Sequence, residues 1–155
     1  MKLTSTHFKE NENIPSQYTC EGLGCNPELH IQDVPKGTLS LALIMDDPDV
    51  PVNIRKDCMY DHWVVFNMPK DTAVIKENLT PPGTLGKNTS GSLGYIGPCP
   101  PDRRHRYFFK LYALDCTLPL AEGATKKQVE KAMDGHILAQ ATLMGTYEKH
   151  HVGDV

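Results

Sequence analysis

Three carboxylates and a histidine lie where they could do chemistry together, because an acid held beside an imidazole orients it and shares its proton. Asp46-Asp47-Pro48-Asp49-Val50-Pro51 closes a largely apolar run from Leu39 to Met45, and Asp61-His62-Trp63-Val64-Val65-Phe66-Asn67 opens another. Proline removes a ladder donor and fixes φ, so Pro48 and Pro51 force the chain out of a sheet at its edge. If the two runs are neighbouring strands, the acids and His62 gather at one rim beside a hydrophobic wall. A second constellation is His105-Arg106-Tyr107, behind the stiff loop Gly97-Pro98-Cys99-Pro100-Pro101. Residues two apart in a strand share a face, so His105 and Tyr107 point one way and Arg106 the other. Imidazole and phenol donate hydrogen bonds and suit an anion. Carboxylates and imidazoles also suit a zinc or iron hydrolase, but the chain has no HExxH or similar spacing.

The elements that must position these groups are mostly strands. Thr38 to Met45, bounded by turn signals, reads as a strand buried on both faces. His62 to Met68 is rich in β-formers, and His105 to Leu114 is the strongest strand pattern in the chain. Val52 to Asp61 is a polar connection. Shorter strands are expected near Leu3 to Phe8, Leu29 to Ile31 and Thr72 to Lys76. Residues 77–106 hold repeated Pro and Gly and no periodic segment, which predicts a fixed, packed, functional loop. Thr125 caps a helix over Lys126 to Asp134, with Val129 and Met133 on one face and Gly135 ending it. Ile137 to Tyr147 contains good helix formers, but its apolar residues keep odd spacing, so it reads as a strand. The expectation is one β-dominated domain over residues 1–155.

Composition narrows the function. The chain has 155 residues, 39% hydrophobic and 23% charged, with a net charge of −3, so it lacks the basic footprint of a nucleic-acid binder. No window approaches the ~18 apolar residues of a membrane span. Met1 to Phe8 has no apolar core of the kind a signal peptide needs, which makes the cytoplasm the default location. The five cysteines are an odd set and do not suggest a disulfide framework. Cys20 and Cys25 have no matching second pair to complete a zinc site. Cys99 reads as a small buried residue in a tight loop rather than a thiol nucleophile. Asp46 reads as a turn former beside Pro48, Arg106 as one half of an ion pair, and His150 and His151 as solvated residues of a polar tail.

Taken in order, DPDVP, HWVVFN and GPCPPDRRHRY resemble the two signature regions of the phosphatidylethanolamine-binding protein family, also called Raf kinase inhibitor proteins. YTCEG, LALIMDDPD and GHILAQATLMGTY resemble its bacterial and archaeal branch, so the resemblance runs from about Tyr18 to Tyr147. It implies a mainly β fold, with a large central antiparallel sheet, a smaller sheet and one or two short helices. It also implies a small anion pocket formed by Asp47, Asp49, His62, His105 and Tyr107, with the Gly94 to Pro101 loop, Gly97 and Pro98 included, as one wall. A cis peptide is implied at Val50–Pro51. In this pocket Asp47 would fix an imidazole in one tautomer and raise its pKa, so that His62 and His105 donate to the ligand. Arg103 and Arg104 at the mouth would steer it.

The implied function is non-enzymatic binding of a phosphate group, a phospholipid headgroup or a phosphorylated side chain, with no catalytic residue, metal or cofactor. Regulation of a kinase or protease partner through the surface, and pairing as a homodimer, follow from the same resemblance. The chain departs from the family pattern at Asn26 and Ile31, where Ser and Trp are usual, and at the Arg103-Arg104 pair, which replaces a glycine. These departures bear on the shape of the pocket mouth.

Overall fold

The computed structural model describes residues 1–150, so His151 lies outside the described residues. Strand β3 (Ser40–Asp47) is the axis of the fold. It lies in the middle of a five-stranded antiparallel sheet whose order is β6 (Thr84–Leu85), β4 (Tyr60–Pro69), β3, β7 (His105–Leu114) and β8 (Ile137–Tyr147). A second sheet of β1 (Lys2–Thr4), β2 (Leu29–Gln32) and β5 (Val74–Ile75) packs on one face. Every residue of β3 is buried, as its unbroken apolar run requires.

Alternation along β3 divides the core in two. Leu41, Leu43 and Met45 join Trp63, Val65, Tyr107 and Phe109 in the layer facing the small sheet, where Leu3, Leu29 and Ile31 meet them. Ala42 and Ile44 face the other way, with Val64, Phe66 and Tyr112, and helix α1 (Lys126–Met133) covers them with Val129 and Met133. The Thr125 side chain accepts from the Gln128 N–H while the Gln128 side chain accepts from the Thr125 N–H, a complete capping box. Gly135, at φ 82°, follows the helix end. The Ile137 to Tyr147 segment is a strand, paired along β7 from His105↔Tyr147 to Leu114↔Ile137. Local helix propensity loses here to burial of every second residue toward its end.

Alternation also separates the adjacent acids. Asp46 lies on the helix side, 1% exposed, and its Oδ2 accepts from Lys110 Nζ and Lys126 Nζ, each at 3.1 Å. Its role is thus a buried ion cluster inside a strand, not the turn expected of an Asp before Pro48. Asp47 lies on the other face. The turn is made by Asp47, whose Oδ1 accepts the Asp49 N–H at 2.7 Å. The Val50 N–H donates to the Cys58 carbonyl at 3.2 Å, closing the excursion. These bonds reverse the chain without an isomerised proline: no peptide bond among the described residues is cis, and the cis Val50–Pro51 expectation is corrected.

The 77–106 segment is packed, as expected, and contributes the two-residue strand β6 paired to Val65 and Phe66. Asn88 organises it, donating to the Gly94 carbonyl at 3.0 Å and accepting from the Ser90 and Ser92 backbones. Cys20 and Cys99 form a disulfide, which corrects the reading of Cys99 as a buried free thiol; both cysteines are exposed.

Candidate functional site

Three strand ends and one loop converge on a cavity of about 230 Å³, lined by Asp47, Val50, Ile54, Tyr60, His62, Ile96, Gly97, Cys99, Pro100, Pro101, His105 and Tyr107. Asp47 ends β3, His105 and Tyr107 begin β7, and Tyr60 and His62 begin β4. His62 reaches the cavity through a β-bulge. Met45 pairs with Trp63 but Asp46 pairs with Asp61, so β4 carries one extra residue at His62. Strict alternation would place His62 with Val64 on the helix side. The bulge instead turns it toward Tyr107, at 5.3 Å between ring centroids, although its neighbour Trp63 already occupies that layer.

The two histidines are held differently. His62 Nδ1 lies 2.7 Å from the Ile96 carbonyl, and the Ile96 N–H donates back to the His62 carbonyl at 3.0 Å. A carbonyl only accepts, so Nδ1 carries the proton and Nε2 is left with its lone pair. Burial pushes the His62 imidazole down to about 4, against the pull of the Ile96 carbonyl and Asp46. His62 is therefore neutral at pH 7, and its Nε2 is not the hydrogen-bond donor to a ligand that was expected at this position. Asp47 contacts the other ring: its Oδ2 lies 2.6 Å from His105 Nδ1, both groups being almost fully buried. Burial raises the Asp47 carboxyl, with the His105 bond and the Asp49 N–H pulling the other way.

One contact was not expected. Asp102, three residues before His105, places Oδ1 2.7 Å from His105 Nε2. Both ring nitrogens thus face carboxylates, and each ring N–H that donates does so to a carboxylate oxygen. An Asp in the loop three residues before the histidine is the sequence signal for this contact. Tyr107 is stacked on His105 at 6.4 Å between ring centroids, and its buried hydroxyl has no protein partner among the described residues. Burial, then the nearby Asp47 charge, pushes this phenol upward, so it stays a donor at any working pH.

Not every expected residue joins the cavity. Asp49 turns away and accepts from Arg106 Nε, Arg106 Nη2 and the Arg106 N–H at 2.8–2.9 Å. That bidentate pair holds the Asp49 carboxyl below its usual range, and it fulfils the ion pair expected of Arg106. Pro98 does not line the cavity, although Gly97 does. A Cβ at Gly97 would lie 2.6 Å from the Tyr18 carbonyl, so only glycine lets this wall lie against the 3₁₀ turn Ser16–Tyr18. Arg103 Nη2 donates to the Asp49 carbonyl at 3.4 Å, whereas Arg104 is drawn off to Asn13 and Thr146.

Away from the cavity, Asp115, Cys116 and His136 bring ligand-type atoms within 4.8 Å of one another. His136 Nδ1 is already 2.8 Å from Asp115 Oδ1, and burial, then Asp115, push the Cys116 thiol up and away from the thiolate a metal needs.

The model of the phosphatidylethanolamine-binding protein family matches residues 4–148. A UPF0098 protein of Chlamydia muridarum is 49% identical over 96% of this chain and 99% of its own length. A UPF0098 protein of Methanothermobacter thermautotrophicus is 46% identical over the same shares. Among solved structures, a phosphatidylethanolamine-binding protein homolog from Chlamydia trachomatis superposes with a TM-score of 0.93 at 48% identity, covering 96% of this chain and 97% of that one. E. coli YbcL, described as a member of the mammalian family, superposes with a TM-score of 0.86 at 28% identity, covering 96% and 98%.

Proposed function

The chain belongs to the phosphatidylethanolamine-binding protein family, and from that premise we propose that it is a non-enzymatic binding protein whose cavity takes the phosphate-like end of an anionic ligand. The observation that carries this reading is the Tyr107 hydroxyl, buried and without a partner among the described residues, at the cavity wall beside His105. A buried donor left unpaired costs about 1–3 kcal/mol, and a ligand oxygen placed there removes that cost. The floor supplies Tyr107 and His105 Nε2–H as donors. The mouth supplies the Arg103 charge. Val50, Ile54, Ile96, Pro100 and Pro101 form an apolar collar that suits whatever the phosphate is attached to. A phospholipid headgroup, a free phosphomonoester and a phosphorylated side chain share this chemistry.

Tyr107→Phe is the test, read by calorimetry or NMR titration with O-phosphoethanolamine, O-phosphoserine peptide and headgroup-bearing vesicles. Which ligand binds identifies the source of the phosphate. The variant is expected to weaken the binding ligand about tenfold, one hydrogen bond to a charged group. Its unfolding free energy should stay level or rise by about 1 kcal/mol, because no protein contact is lost. Equal affinity in the variant, or no binding by the wild-type protein to any of the three, rejects the reading.

A further inference from the structure

His105 offers a ligand only one of its nitrogens. Nδ1 is committed to Asp47 at 2.6 Å in the protein interior, where Asp47 is also tied to the Asp49 N–H. Nε2 is the remaining donor, and the Asp102 carboxylate sits on it at 2.7 Å. Asp102 approaches from outside, its side chain 39% exposed, while the ring it touches is 1% exposed. Its second oxygen lies 3.7 Å from Arg103 Nε. A negatively charged oxygen thus already stands at the one proton of His105 that an anion could use.

We infer that Asp102 is a tethered occupant of the anion subsite, a carboxylate that the ligand must displace before it can bind His105. The inference rests on the anion reading of the cavity and adds who competes for it. Displacement is short: Asp102 lies in an exposed loop and can turn toward the neighbouring Arg103. A group tied this closely competes at an effective concentration in the millimolar range or above. If it is docked in about nine molecules of ten, it weakens every ligand about tenfold, since apparent affinity scales with the competent fraction.

The penalty is uniform, so it sets a threshold rather than a preference. Weak ligands such as simple monocarboxylates fall below useful affinity. A ligand that succeeds carries more charge than one carboxylate, or brings apolar contact as well. The cavity, at about 230 Å³, holds more than a phosphate group when a water's share is ~30 Å³. The class that meets both demands is a phosphate monoester or phosphonate with a compact apolar substituent.

Phenyl phosphate and benzoate, matched in their apolar part, are the probes, titrated into wild type, Asp102→Ala and Asp102→Asn. Asp102→Ala is expected to bind phenyl phosphate about tenfold more tightly than wild type, and to bring benzoate into the measurable range. Asp102→Asn, which keeps a hydrogen-bonding group but no charge, is expected to fall between them. In ring ¹⁵N spectra of the wild type, phenyl phosphate should move the His105 Nε2 signal and leave Nδ1 in place. Unchanged or weaker binding by Asp102→Ala overturns the inference while leaving the anion reading intact, because Asp102 would then be supporting His105 rather than competing for it. No binding of phenyl phosphate by any of the three proteins overturns both.

Discussion

Acidification from pH 7 to below pH 4 is expected to remove about 3 kcal/mol of stability through His62 alone, about 2.5 pH units at 1.36 kcal/mol each. The unfolded imidazole takes its proton near 6.5, while burial delays protonation in the fold to about 4. Between these values the unfolded chain binds more protons, so stability falls as pH falls; above 6.5 the group contributes no slope. Asp47 acts in the opposite sense. Burial raises its carboxyl, so the fold takes that proton before the unfolded chain does, and acid relieves part of the cost of the buried charge. Other carboxylates titrate in the same range, so the His62 share must be read as a difference. His62→Asn is the comparison, because the Asn amide can donate to the Ile96 carbonyl where Nδ1 does and does not titrate. Urea unfolding at pH 7.5 and pH 4.5 should show the wild type losing about 2 kcal/mol more than the variant across that interval. A variant that keeps the full wild-type slope would place the titrating group elsewhere.

The same residue marks the boundary of what the sequence can reveal. The strands at β3, β4 and β7 are legible because burial on both faces demands unbroken apolar runs, and α1 because its cap chemistry is local. Asp47, His62, His105 and Tyr107 are legible as a group because motif and strand ends coincide. Their partners are not. Whether Asp47 serves His62 or His105 depends on which strands neighbour β3 and on a one-residue bulge, and Met45, Asp46 and Trp63 carry no mark of it. Parity alone does sort Asp46 from Asp47, yet the prolines nearby suggested a turn and hid it. Asp49 looked like a pocket acid because it shares the motif. Its carboxylate is instead drawn to Arg106, an ion pair across 57 residues that no spacing rule reaches. The cis peptide implied by the resemblance is absent, and a side-chain bond from Asp47 to the Asp49 N–H helps turn the chain without it. Cys20 and Cys99 failed the counting rule because an odd set argues against pairing, and the rule knows nothing of which loops touch.

That pair makes the other large prediction. The Cys20–Cys99 bond spans 79 residues of sequence, and closing a loop of that size removes about 4 kcal/mol of unfolded-state entropy in the chain-entropy model. Non-covalent contacts lace the same two segments. The Cys20 N–H donates to the Pro98 carbonyl at 3.1 Å, the Tyr95 hydroxyl to the Tyr18 carbonyl at 2.7 Å, and Gly97 lies against Tyr18. The reduced protein should therefore keep its fold and its pocket wall but unfold more easily. Both cysteines are exposed, so a reductant reaches them without unfolding. Thiol titration in urea should count three reactive thiols before reduction and five after. The urea midpoint should drop on reduction by the equivalent of about 4 kcal/mol, and a Cys20→Ser/Cys99→Ser variant should match the reduced protein and ignore the reductant. Five thiols before any reductant is added, or midpoints that coincide with and without it, would remove the disulfide from the account. The thiol count in protein taken directly from cells also decides between compartments, since an exposed disulfide persists where the surroundings are oxidising and opens where glutathione keeps thiols reduced.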